Sequence, residues 1–135
     1  MDIHGWVRKD IGRLGETLAA EYLRRNGFSI IDRNVAYKTG ELDIIARKGN
    51  TLHFIEVKTV MCREFPKVER AGNSSVLYNP ADNLHQYKIH KVARTAEWYM
   101  ATTGWGGEVQ IDGVLVWLRS PDGCGRVRYL PQILE

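Results

Sequence analysis

The chain has 135 residues, 19 Lys and Arg against 16 Asp and Glu, with 44% hydrophobic and 26% charged residues. That length suits one domain with one core, and a composition near the globular average excludes a disordered chain and a membrane protein. A net charge of +3 permits a polyanionic partner without demanding one, so any nucleic-acid site has to come from local clustering of charge.

Met1 to Asp10 mixes Asp2, His4, Arg8 and Lys9 with few apolar residues, unlike the apolar stretch of a signal peptide. No run approaches the roughly 20 apolar residues of a membrane span, and the expectation is a cytoplasmic protein with no membrane partner. Cys62 and Cys124 lie far apart without a CxxC, and the histidines form no HxxxH. Zinc therefore has no spacing in its favour, and both thiols are expected to be reduced.

From Ile11 to Asn26 the apolar residues Ile11, Leu14, Leu18, Tyr22 and Leu23 recur at helical spacing, and Gly27 follows where a C-cap belongs. Glu16 falls within the apolar arc of this helix among Gly12, Ala19 and Ala20, and an inward-facing charge needs a partner. The small residues would let the helix come close to a sheet. Phe28 to Asn34 reads as a short strand, followed by a turn at Tyr37 to Gly40.

Glu41 to Arg47 and Leu52 to Thr59 are strand-like runs on either side of Gly49-Asn50, a dipeptide suited to a two-residue hairpin turn. That turn pairs Lys48 with Thr51 and, stepping outward, sets Asp43 opposite Glu56. With period two, Asp43, Ile45, Leu52, Phe54, Glu56 and Lys58 share one face, and Glu41 lies opposite Lys58. Opposed carboxylates about 5 Å apart repel unless a cation lies between them. Mg²⁺ binds through one or two carboxylates plus waters and phosphate oxygens, and Lys58 aims a further positive charge at the same space. The alternative is a pair of exposed strand carboxylates in a slipped register.

Val60 to Asp82 loses periodicity and gathers Gly, Asn, Ser and Pro, so it reads as a long, flexible loop. Asn83 to Thr103 carries Ile89, Val92, Ala93, Ala96, Tyr99 and Met100 at helical spacing and ends at Gly104. Lys88, Lys91 and Arg94 recur along it and could follow a phosphate backbone, as could Arg63 and Lys67 in the loop; a solvated face is the competing reading. Val109 to Leu118 and Arg126 to Leu130 close the chain as strands. The order αβββαββ predicts an α/β domain with a central mixed sheet flanked by helices.

Glu16 in the first helix, Gly40-Glu41-Leu42-Asp43, and Glu56-Val57-Lys58 together resemble the PD-(D/E)XK nuclease superfamily. The closest likeness is to the YraN-like family of bacterial proteins, with Asn34, Lys88 and Asp112 at matching places, and archaeal Holliday-junction resolvases are similar in the same core. The chain departs from the YraN-like pattern at Leu84 to Tyr87. The resemblance implies a restriction-endonuclease-like fold and a Mg²⁺ or Mn²⁺ ion held by Asp43, Glu56 and the Val57 carbonyl. It also implies Lys58 as the catalytic lysine and Glu16 as an accessory carboxylate, for which a salt bridge to some Arg or Lys is the alternative. The expected activity is hydrolysis of phosphodiester bonds in branched or structured DNA, with a homodimer to make two cuts. RNA cleavage, and a non-cleaving DNA-binding or adaptor module, are the competing expectations.

Overall fold

The structure is a computed structural model and describes residues 1–66 and 86–134, with the side chains of Gln86 and Tyr87 left aside. Helix α1 spans Arg8–Arg25, followed by strands β1 (Ser29–Tyr37), β2 (Gly40–Lys48) and β3 (Thr51–Cys62), helix α2 (Gln86–Thr103), and strands β4 (Glu108–Arg119) and β5 (Gly125–Leu130). Gly27, at φ 89°, ends α1: its N–H bonds Arg24 O at 3.1 Å and the Phe28 N–H bonds Leu23 O at 3.0 Å. These two bonds satisfy carbonyls that the helix end would leave open, in the manner of a Schellman motif.

The five strands form one sheet in sequence order, β1-β2-β3-β4-β5. Neighbours are antiparallel except β3 and β4, which run parallel from Thr51↔Glu108 to Cys62↔Arg119. The chain between them is the stretch that carries α2, as a parallel connection requires. Helix α1 covers one face through Ile11, Ala19 and Leu23 against Ile44, Ile55, Val114 and Val116. Helix α2 covers the other through Ile89, Val92 and Tyr99 against Ile45, Phe54 and Ile111. Interior strand β4 is buried on both sides from Ile111 to Leu118, which is why it reads as a nearly unbroken apolar run.

Helix α1 begins at Arg8, three residues before the expected start, and two strand ends also run past expectation. Val60, Met61 and Cys62 belong to β3 rather than to a loop, because β4 is long enough to offer them Trp117, Leu118 and Arg119 as ladder partners. Strand β1 continues beyond Asn34 to Tyr37, and Asn34 itself holds φ 53°, a left-handed conformation that Asn tolerates better than most residues. Lys67, the rest of the predicted loop from residue 67 to 82 and the first residues of the predicted second helix lie outside the described residues. Among those described, no helix is long and apolar enough to cross a membrane.

Candidate functional site

The Gly49-Asn50 turn, with Gly49 at φ 62°, sets the expected register: Lys48↔Thr51, Arg47↔Leu52, and so on to Ile44↔Ile55. There the β2–β3 ladder stops. The expected pairing of Glu41 with Lys58 does not form, while on its other side Glu41 pairs with Ala36 of β1. At the next step a carboxylate takes over the ladder's role, for the Val57 N–H donates to Asp43 Oδ2 at 2.9 Å. Asn34 falls opposite Asp43, between the pairs Arg33↔Ile44 and Val35↔Leu42. Around this position the alternation of β2 breaks, because Leu42 packs with the α2 core while Ile44 packs with the α1 core. Strands β2 and β3 thus fork where the acidic residues sit.

Asp43 and Glu56 meet in the fork, lining one cleft and acting on each other electrostatically. Burial pushes the Asp43 carboxyl above its ordinary value, against the downward pull of the Val57 N–H and the Lys88 charge. Burial and then the neighbouring Asp43 charge push Glu56 up to about 7. Two anions in one poorly hydrated place raise each other's affinity for a proton or a metal cation.

Lys88, one of the helix cations that could follow a phosphate backbone, reaches from α2 to Glu56, and its Nζ pairs with Oε1. Burial draws the ammonium down, but the Glu56 hydrogen bond and the surrounding carboxylates outweigh it, so its pKa is raised. The signal for this was present in the sequence: Lys88 precedes Val92 and Ala96 by four and eight residues, and both are buried, so it extends the inward stripe of α2. Lys91 joins Lys88, Asp43, Glu56, Gly40 and Thr95 around a cleft of about 660 Å³. Arg94 and Arg63 are exposed, and Arg94 does not line that cleft.

On the opposite side of Asp43, Glu16 and Lys58 line a groove of about 740 Å³ that shares Asp43 and Lys88 with the cleft. Glu16 comes this close because α1 lies tight on β3 at Gly15, where an added Cβ would stand 1.9 Å from Thr59 Oγ1. Burial and the Asp43 charge push Glu16 up, while Asn34 and Arg33 draw it down. Its ion pair with Arg33 is long, 3.9 Å, and Oε1 is buried with no hydrogen-bond partner among the described residues. Asn34 and Arg33 were not singled out as contacts of Glu16 from sequence, since only the left-handed turn of Asn34 brings strand and helix side chains together there.

The donors gathered here are all oxygens, the preference of a hard divalent cation, and the open Oε1 of Glu16 beside two proton-seeking carboxyls fits such an ion. Among the described residues no three His, Cys, Asp or Glu side chains converge as a ready ligand cluster. The protein side chains therefore supply a carboxylate pair, with Glu16 one step away.

His53 and Asp112 form a separate, buried group. Asp112 is 0% exposed and accepts from His53 Nδ1 (2.6 Å), Tyr129 OH (2.6 Å), Gln110 Nε2 (2.8 Å) and the Gln132 N–H (2.9 Å). These partners hold its carboxyl below its ordinary value despite burial. This group lines neither the cleft nor the groove and ties β3, β4 and β5 together.

Comparison with known proteins gives a consistent assignment. A UPF0102 protein of Syntrophotalea carbinolica is 42% identical over 96 residues, covering 71% of this chain and 68% of its own. One from Clostridium botulinum is 38% identical over 95 residues, 70% of this chain and 68% of its own. One from Campylobacter jejuni is 36% identical over 105 residues, 78% and 81%. The family model described as "Uncharacterised protein family UPF0102" matches residues 15–116, a span that contains Glu16, Asp43, Glu56, Lys58 and Lys88. The chain belongs to the UPF0102, or YraN-like, family.

Proposed function

We propose that this protein is a metal-dependent endonuclease of the PD-(D/E)XK type, acting in the cytoplasm on phosphodiester bonds of DNA. The observation that carries this reading is the meeting of Asp43 and Glu56 at the fork of β2 and β3, both raised in pKa and facing an open cleft. Such an arrangement costs stability unless it is used. A mixed five-stranded sheet with a helix on either face is the scaffold expected for such a nuclease.

Mg²⁺ or Mn²⁺, held by Asp43 and Glu56 with Glu16 and the Val57 carbonyl as further oxygen donors, would polarise the phosphoryl group and lower the pKa of the attacking water. The side chains around it have distinct tasks. The Val57 N–H fixes one oxygen of Asp43 and leaves the other free to bind. Lys58, exposed on the groove beside Asp43, brings positive charge to the oxygens on which charge develops. Lys91, on the cleft wall, neutralises the incoming backbone. Lys88 favours the ionised form of Glu56 against the burial that raises its pKa, and its 58% exposed side chain is free to swing to the phosphate. A branched or structured substrate calls for two such sites, and hence a homodimer.

The Lys88–Glu56 pair also favours a second reading. If the ammonium is a permanent substitute for the metal, the protein is a DNA-binding or adaptor module that does not cut. Incubating wild type, Asp43→Asn and Lys58→Ala with linear, nicked and four-way-junction DNA, and with RNA, in Mg²⁺ or Mn²⁺ separates the two. The nuclease reading expects cleavage by wild type, none by Asp43→Asn, and a loss of roughly a hundredfold in Lys58→Ala. Wild type that binds DNA but cuts nothing with either metal decides for the binding module.

A further inference from the structure

The groove on the α1 side of Asp43 does not end at the carboxylates. It runs outward past Lys58 and Arg8 to Trp6, a residue 38% exposed. Trp6 is held in place: Ile3 is 0% exposed, its N–H bonds Pro121 O at 2.6 Å, and the Trp6 N–H bonds Ile3 O at 3.1 Å. Gly5, at φ 82°, makes the turn between them. A large aromatic side chain held on a tethered turn and left partly in water presents a flat apolar surface at little further entropic cost.

Charge surrounds that ring. Arg8 lines both this groove and an adjoining cleft of about 690 Å³, where Lys9, Arg13 and Arg33 also lie. Among the described residues, Arg8, Lys9, Arg13 and Lys58 take part in no ion pair. Unpaired cations beside an aromatic side chain on a tethered turn complement a strand that carries phosphates on one side and bases on the other. A groove of about 740 Å³ is the size of a small-ligand pocket, with room for about one or two nucleotides. Base faces are hidden inside a duplex and become available only where pairing fails.

We infer that the Trp6 groove receives an unpaired nucleotide next to the phosphate at the carboxylate pair, its base stacked on Trp6 and its backbone led away over Arg8 and Arg13. The inference rests on the proposed function and specifies its substrate: a strand with unpaired residues beside the cut. Trp6, Arg8, Lys9 and Arg13 all precede the family match, which begins at residue 15. Substrate choice in this chain is thus carried by residues separate from those that carry the chemistry.

The test measures affinity, not cutting, with Ca²⁺ in place of Mg²⁺. Fluorescence anisotropy compares the full-length protein with its Trp6→Ala and Trp6→Phe variants on a single-stranded oligonucleotide, a duplex with an unpaired tail, and a blunt duplex. Trp6→Ala is expected to weaken the first two by roughly tenfold and the blunt duplex by less than about twofold, with Trp6→Phe recovering most of the loss. A 2-aminopurine in the tail is expected to be quenched by wild type and not by Trp6→Ala. Equal binding of the unpaired substrates by wild type and Trp6→Ala overturns the inference and leaves the nuclease reading standing. Equal weakening on all three substrates also overturns it, as does light scattering showing that Trp6→Ala merely breaks a dimer at unchanged affinity. Wild type that binds no nucleic acid in any form overturns both.

Discussion

The Lys88 ammonium on α2 meets Glu56 on β3, a carboxylate whose side chain is only 3% exposed. One residue of a helix that follows β3 in sequence thereby neutralises half of an acidic pair formed by a hairpin. The pairing makes Lys88 both a stabiliser and a competitor of any bound cation.

Replacing Lys88 by Met therefore has two expected effects. Without metal the variant is less stable, by about 1–3 kcal/mol, because Glu56 is left buried without its partner. Added Mg²⁺ then raises its melting temperature more than that of wild type, since the ion no longer displaces an ammonium. Thermal melts with and without Mg²⁺ check both, and a wild-type-like response in Lys88→Met counts against the competition.

The acidic pair also sets a pH dependence. Glu56 is raised from its ordinary 4.5 to about 7, so between those values the folded state holds a proton that the unfolded chain has lost. The contribution of Glu56 to metal-free stability accordingly falls as pH rises from about 4.5 to 7. A divalent ion must displace that proton, so Mg²⁺ is expected to bind weakly at pH 5.5 and tightly above pH 7.5. Calorimetric titrations at the two values, with proton release measured in buffers of different ionisation enthalpy, test this directly.

Gly15 is the contact point between α1 and β3. A Gly15→Ala methyl would stand 1.9 Å from Thr59 Oγ1, 2.8 Å from its Cγ2 and 2.9 Å from its Cβ, so the helix must lift or Thr59 must move. Overpacking of this kind costs about 1–3 kcal/mol. Chemical denaturation is expected to show that loss, with partial recovery in the double variant Gly15→Ala/Thr59→Ala. Because Glu16 rides on the same turn, metal affinity should fall alongside stability.

Asp112 provides a control that leaves the site alone. Its lowered carboxyl contributes stability that is fully present above its ordinary value of 3.8 and is lost as pH falls through its lower folded-state value. Asp112→Asn gives up charge-assisted bonds and turns an NH₂ toward donors, for an expected loss of about 3 kcal/mol or more. Denaturant melts at pH 7 and pH 3 should show the difference between wild type and variant shrinking in acid.

Much of this architecture is local and was legible as such. The helical spacing of α1, its Gly27 stop, and the Gly49-Asn50 turn each encode their own geometry within a few residues, and the turn alone predicts Ile44↔Ile55 because each strand pair follows from the last. Juxtaposition of Asp43 and Glu56 follows from the same counting. It remains valid even though the ladder ends at Ile44↔Ile55, three steps short of the counted Glu41 and Lys58, as backbone bonding gives way to the Asp43 side chain.

Other features depended on surfaces meeting across long stretches of chain. Nothing periodic in β3 indicates that it pairs in parallel with β4, that its last three residues belong to the sheet, or that His53 finds Asp112. The spacing of Lys88 to Val92 and Ala96 puts it on the inward stripe of α2, but its meeting with Glu56 is set by the docking of α2 on Ile45 and Phe54. The amino-acid order determined which groups carry charge and how each segment coils or extends, because those preferences act between neighbours. Which charges would face each other, and which would be denied water, was settled by packing, because burial is a property of the assembled layers rather than of any one segment.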